Sequence, residues 1–264
     1  MTKFYLSSSA AAAISPAFSA WTRTTEGDRK NMSPTKDGSA LTNKSVWANT
    51  TVGSSQSALC RQYVSDALAA GISFTTSHQV SAQVRVLESA TNDNIDGVVI
   101  RVKVIASDGS TVQATLITAA FGNTNEWSTS LANRSVPAAF YPLETNYTTA
   151  AGDYLVCEFG ARITTTGSTV TGQMNFGSSA GSDLPVDETT TTALDPWFNI
   201  DTDCFPAAPS GQPTSKRFGG VPFMGAHGAG IPSAVRQWMR RDSGLIAPRQ
   251  QVATAIWRPA HGIN

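Results

Sequence analysis

Charge is scarce in this chain. Only 14% of its residues are charged, too few for long helices laced by surface ion pairs, and before residue 205 hardly any segment repeats its apolar residues at the helical period. Cysteine occurs three times, at Cys60, Cys157 and Cys204. That number is odd and the spacing too wide for a CxxC metal knuckle, which argues against a disulfide framework and for free thiols in a reducing cytoplasm. Cys157, in a strand-like run, reads as a small buried hydrophobe. Histidine is equally sparse, and His78, His227 and His261 show neither HExxH spacing nor a neighbouring GxSxG elbow, so metalloprotease and serine-hydrolase chemistry find no support. A Walker-type phosphate loop is missing, and Gly219-Gly220 follow no strand that would make them a dinucleotide fingerprint. The apolar patch near the start, MTKFYLSSSAAAAISPAF, is broken by Ser and Pro16 and is too short for a signal core or a membrane span. The expectation is a soluble, non-enzymatic chain that needs no cofactor and does not enter a membrane.

What is present is Ser, Thr, Gly, Ala and Val, a composition suited to strands joined by many turns. In QVSAQVRVLES (79–89), Val80, Ala82, Val84 and Val86 alternate with Gln79, Ser81, Gln83 and Arg85, the period of a strand with one face buried. VVIRVKVIA repeats the device, with Arg101 and Lys103 outward. Asp108-Gly109 then predicts a tight hairpin to TVQATLITA (111–119). YLVCEFGARIT alternates Leu155, Cys157, Phe159, Ala161 and Ile163 against Tyr154, Val156, Glu158, Gly160 and Arg162. Shorter candidates are KFYLS, SVWANT, ALCRQYVS, GQMNFG and PWFNID. About eight to ten strands with turn chemistry between them predict an all-β, antiparallel, jelly-roll-like β-sandwich.

After Phe205 the texture changes to a Pro/Gly-rich stretch that cannot hold long regular elements. The expected organisation is an N-terminal strand or arm segment (1–39), the sandwich (40–204), and an extended, mostly irregular C-terminal arm (205–264). A short helix at 233–241, capped by Ser233, is expected within the arm. Residues 206–264 hold seven basic residues and one acid, net +6, and since the whole chain is neutral the preceding 205 residues carry −6. Lys216, Arg217, Phe218 and Phe223 join a basic pair to aromatic anchors across a Gly-Gly hinge, the form of a linear docking peptide. In the expected helix Trp238 is flanked by Arg236, Arg240 and Arg241. Few charges on one or two helical turns would bind nucleic acid or a membrane weakly, so an acidic protein surface is the better partner.

Four segments, QYVSDALAAGISFTTSHQVSAQVRVLESATNDN, EWSTSLANRSVP, AGDYLVCEFGAR and FGSSAGSDLPVDETTTTALDPWFNI, together resemble a group of jelly-roll structural proteins of tailed bacteriophages, in the same order and with similar spacing over roughly residues 57–202. The resemblance implies a virion surface protein assembled in the host cytoplasm: a capsid decoration or cement protein, or a neck- or tail-associated one. Its partners would be the major capsid protein or other virion proteins, and it would be a homo-oligomer, with a trimer favoured. It brings no catalytic motif, and the arm lies outside it.

Two further clusters invite a ligand. Asp183, Asp187 and Glu188 put three carboxylates into one loop; they are weak candidates for a hard cation, in a spacing that matches no EF-hand, and an ordinary solvated loop is the simpler reading. Trp21, Trp47, Trp127 and Trp197 could form stacking platforms for a glycan. Packing in a core or interface is the favoured alternative, because Trp47 and Trp197 fall in strands.

Overall fold

The structure is a computed structural model that describes residues 1–205 apart from 25–26, 37–43, 50–55, 92–93, 123–124, 165–169 and 178–180, together with the side chains of 44–49 and 137–139. The C-terminal arm, with all eight residues expected to dock and its expected helix, lies outside the described residues.

In chain order the strands are β1 (Thr2–Tyr5), β2 (Asp28–Asn31), β3 (Lys44–Asn49), β4 (Gln56–Ala67), β5 (Ser73–Phe74), β6 (Gln79–Glu88) and β7 (Ile95–Ile105). There follow β8 (Val112–Phe121), β9 (Ala132–Pro142), β10 (Tyr147–Thr148), β11 (Tyr154–Ile163), β12 (Val170–Asn175) and β13 (Trp197–Ile200), and no helix occurs among the described residues. Every strand candidate of the sequence is among them. The Asp108-Gly109 hairpin forms as expected: Gly109 takes φ 74°, and the Asp108 carboxylate accepts the N–H groups of Ser110 and Thr111, each at 2.8 Å.

The strands build a six-stranded sheet, a five-stranded sheet and a small β5–β10 ribbon. In the first sheet the order β1-β13-β6-β9 runs through antiparallel pairs, and in the second the order is β4-β11-β7-β8. Ranked along the chain, the first four of these eight strands alternate between the sheets and so do the last four, with β7 and β8 neighbours in one sheet, so that the first meets the last and the second meets the seventh. That interleaving is the jelly roll. Two of its strands are interrupted. β12 and β13 lie end to end along one edge of β6, with partners at 85–88 and 80–83, and the loop between them is a long excursion. β1 and β3 flank β13 and β12 in the same way, and the chain between them leaves to place β2 parallel to β4.

The segment read as an N-terminal strand or arm therefore supplies a strand to each sheet. Phe4 and Leu6 are fully buried in the core between the sheets. At the centre of that core Tyr63, Phe159 and Phe176 meet edge to face at centroid distances of 5.4–5.9 Å, and the Tyr63 hydroxyl donates to the Leu6 carbonyl at 2.8 Å. β9 carries Pro137 and Pro142, which conceal it in the sequence. The structure accommodates the first in a bulge, where residues 137–140 lie opposite Ser81 alone.

Candidate functional site

Alternation places the inward residues of β6, β7 and β11 correctly, but the opposite faces are not solvated. Gln83, Arg85, Lys103 and Glu158, all expected to face water, are at most 7% exposed. Each sheet is covered on its outer side by one of the long excursions.

Over the five-stranded sheet runs the segment from Ser8 to Thr24. Its anchor is Glu158, whose carboxylate accepts the Ser19 N–H (3.0 Å), Trp21 Nε1–H (2.6 Å), Gln62 Nε2–H (2.8 Å) and Lys103 Nζ (3.1 Å). Burial acts most strongly on this group and raises its pKa. The Lys103 charge and the bonds from Trp21, Gln62 and Lys103 together outweigh it and hold the carboxyl below the usual range. Lys103 also donates to the Ala17 carbonyl at 2.6 Å, and Arg29 reaches Gln62 Oε1 (2.9 Å) and the Pro16 carbonyl (3.0 Å). Trp21 lies against Leu59, Val99 and Gly160 so closely that a Cβ on Gly160 would sit 2.3 Å from the indole.

Over the six-stranded sheet lies the loop between β12 and β13. Its main-chain carbonyls receive Gln83 (Asp187 O, 2.5 Å), Arg134 (Glu188 O, 3.1 Å) and Arg85 (Thr191 O). Here two of the three carboxylates proposed for a cation, those of Asp183 and Asp187, have separate partners. Asp183 pairs with Lys3 and Lys36, both at 2.7 Å. Asp187 caps its own turn through Thr189 N–H, Thr190 N–H and Thr190 Oγ1–H and accepts Asn133 Nδ2–H at 3.1 Å. Glu188 enters through its carbonyl. Among the described residues no group of three or more His, Cys, Asp or Glu side chains is arranged to hold a metal ion.

Three of the four tryptophans pack rather than present a face: Trp21, Trp127 and Trp197 are 8%, 2% and 6% exposed. The side chain of Trp47 lies outside the described residues. All three cysteines are free and buried; burial pushes the Cys204 thiol up to about 12, which makes it a packing group and not a nucleophile. The residues the sequence reading missed are Glu158, Lys103, Arg101 and Arg29. Their charges stand at outward strand positions or in an unassigned segment, and nothing local indicates that a segment as much as 139 residues away in sequence will cover them.

Residue 1 and residue 205, the last one described, are neighbours. Cys204 N–H donates to Thr2 Oγ1 at 2.8 Å, and Met1, Lys3, Pro34, Asp203 and Phe205 border one open hollow of about 410 Å³. The last described residues thus lie beside β1.

No protein-family description and no curated protein matches the chain. Among solved structures it is similar to a structure of infectious bursal disease virus, Gx strain, at 11% identity and a TM-score of 0.27, over 61% of this chain and 37% of that one. The chain thus spans about a third of that protein's length, and the likeness is too low to assign fold or function.

Proposed function

We propose that this chain is a structural protein of a tailed-phage virion, a decoration or cement protein that oligomerises, with a trimer favoured, and docks on neighbouring capsid subunits through its C-terminal arm. The observation that carries this reading is a jelly roll whose outer faces are both covered by its own chain, continued from its last strand by 59 residues of net charge +6. A body so closed over both its sheets offers shape and stability, while the arm offers charge and aromatic anchors. Lys216, Arg217, Phe218 and Phe223 form the first docking element and Arg236, Trp238, Arg240 and Arg241 the second. The tailed-phage context rests on the sequence resemblance.

The test is deletion of residues 206–264. The truncated chain is expected to keep its circular dichroism spectrum and melting transition but to disappear from purified particles. Incorporation at the wild-type level would remove the docking role from the arm. Because the arm's attraction to an acidic surface is screened by salt, full-length protein should also dissociate from particles more readily as ionic strength rises.

A further inference from the structure

Between the covering segment and the β7–β8 hairpin lies a cavity of about 320 Å³ that the closed outer face leaves open. Phe18 and Ser19 form one wall, Arg101 and Lys103 the floor, and Thr115 and Thr118 of β8 the other wall. Arg101 is the unusual member. Its guanidinium lies over the Trp21 ring at 4.6 Å, its Nε is buried without a hydrogen-bond partner, and among the described residues no carboxylate stands within ion-pair distance of it. Lys103, beside it, is already bound to Glu158 at 3.1 Å and to Ser19 Oγ at 3.3 Å. A third cation, Arg29, stacks on Phe18 at 4.1 Å. Against these three positive charges stand two negative ones: Glu158, saturated beneath Lys103, and Glu144, whose carboxylate is engaged by Thr118 N–H (2.9 Å) and the Tyr141 hydroxyl (3.2 Å) at the strand edge. The site is electropositive, and Arg101 is the cation whose bonding capacity is unspent.

We propose that this cavity binds an acidic sugar, a uronic or sialic acid residue of a polysaccharide, with its carboxylate on Arg101 and its ring hydroxyls on Ser19, Thr115 and Thr118. A guanidinium presents parallel N–H donors that match a carboxylate. The volume is at the small end for ligand cavities and suits one monosaccharide unit rather than a run of peptide. Three hydroxyls around an aromatic and aliphatic wall complement a ring that is polar at its edge and apolar on its face. An acidic protein side chain would use the guanidinium but leave those hydroxyls unmatched. This site is independent of the virion reading, since it is made wholly of the sandwich and needs nothing from the arm.

The experiment is titration of the full-length protein with glucuronic acid, N-acetylneuraminic acid, glucose and N-acetylglutamate, followed by calorimetry and by NMR shifts of the Thr115 and Thr118 methyl groups. One of the two acidic sugars is expected to bind and shift both methyls, while glucose and N-acetylglutamate bind at least about tenfold more weakly. Arg101→Met should weaken the acidic sugar by a similar factor. Thr115→Val, at an exposed position of an edge strand, should fold normally and weaken it a few-fold, so the test survives if Arg101→Met does not fold. Three results overturn the proposal: neither acid moving the two methyls, glucose binding as well as the acids, or Arg101→Met binding unchanged. Binding of N-acetylglutamate as tight as that of the sugar would also overturn it, by assigning the cavity to an acidic protein side chain. Particle incorporation of Arg101→Met should be normal, which separates this site from the arm's docking.

Discussion

Glu158 concentrates the physics of the outer face in one residue. A carboxylate out of water is costly unless it is paired and hydrogen-bonded, and here the partners come from three separate elements: Ser19 and Trp21 from the covering segment, Gln62 from β4 and Lys103 from β7. Glu158→Gln leaves the Lys103 ammonium buried without its counter-charge and should cost about 3 kcal/mol in urea denaturation. Adding Lys103→Met to it should recover more than about 1 kcal/mol relative to the sum of the single changes, the mark of a coupled pair. The pH dependence has a definite sign. The folded-state pKa of Glu158 lies below its unfolded value of about 4.3, so its contribution is complete above that value and is lost as pH falls through the folded pKa. Glu158→Gln should accordingly flatten the acid limb of the stability curve while lowering the neutral plateau. Gly160 is constrained by the same contact, because a methyl there would meet the Ala58 carbonyl and the Trp21 ring, both at 2.3 Å. Gly160→Ala should lift Trp21 from the sheet, with loss of near-ultraviolet circular dichroism and roughly 1–3 kcal/mol of stability.

Among the elements, the interrupted strands are the distinctive device. Splitting a sheet-edge strand into β12 and β13 lets the chain leave the sheet, cross its outer face and return in register along the same edge of β6. The excursion is held by side chains of the sheet reaching up to loop carbonyls, and its shape is set by the Asp187 turn. Burial acts as a smaller effect on Asp187 than its bond from Thr190 Oγ1–H, and with the neighbouring N–H groups and Asn133 the carboxyl is held below the usual range. Asp187→Ala should therefore speed amide hydrogen exchange through residues 187–191 and leave the exchange of β6 and β9 unchanged. Equal acceleration in β6 would mean that the loop and the sheet open as one unit. Asp183 fastens the other end of the same loop to Lys3 and Lys36, so the loop ties the N-terminal segment to the last strand.

For the molecule as a whole, the two ends of the chain are expected to differ in their importance to folding. β1 is a central participant despite its position: it pairs along all four residues with β13, and Phe4 and Leu6 are at 0% exposure. Removing residues 1–6 should cost more than about 5 kcal/mol, since burial of even one Phe is worth about 3–5, and should leave the chain aggregated or unfolded by circular dichroism. Removal of residues 206–264 should leave the melting transition in place. The contrast separates a strand of the sandwich from a segment proposed to dock on partners.

The inward faces of β6, β7 and β11, the Asp108-Gly109 hairpin and the all-β class were legible in the sequence, because they depend on period-two alternation and turn chemistry within a few residues. β2, with four half-buried residues and no alternation, and β9, interrupted by Pro137, were not. The interleaved pairing of a jelly roll was available only as an expectation of type and resemblance, since which strands adjoin is settled by contacts far apart in the chain. The sharpest difference concerns Gln83, Arg85, Lys103 and Glu158. Alternation determines that they turn away from the sandwich core, and that much the sequence established by itself. Whether the other side is water or protein depends on what crosses it, and the groups that do so lie up to 139 residues away. Only the tertiary structure could decide that these polar side chains are buried fastenings, that Arg101 beside them is left with bonding capacity to spare, and that a cavity opens there.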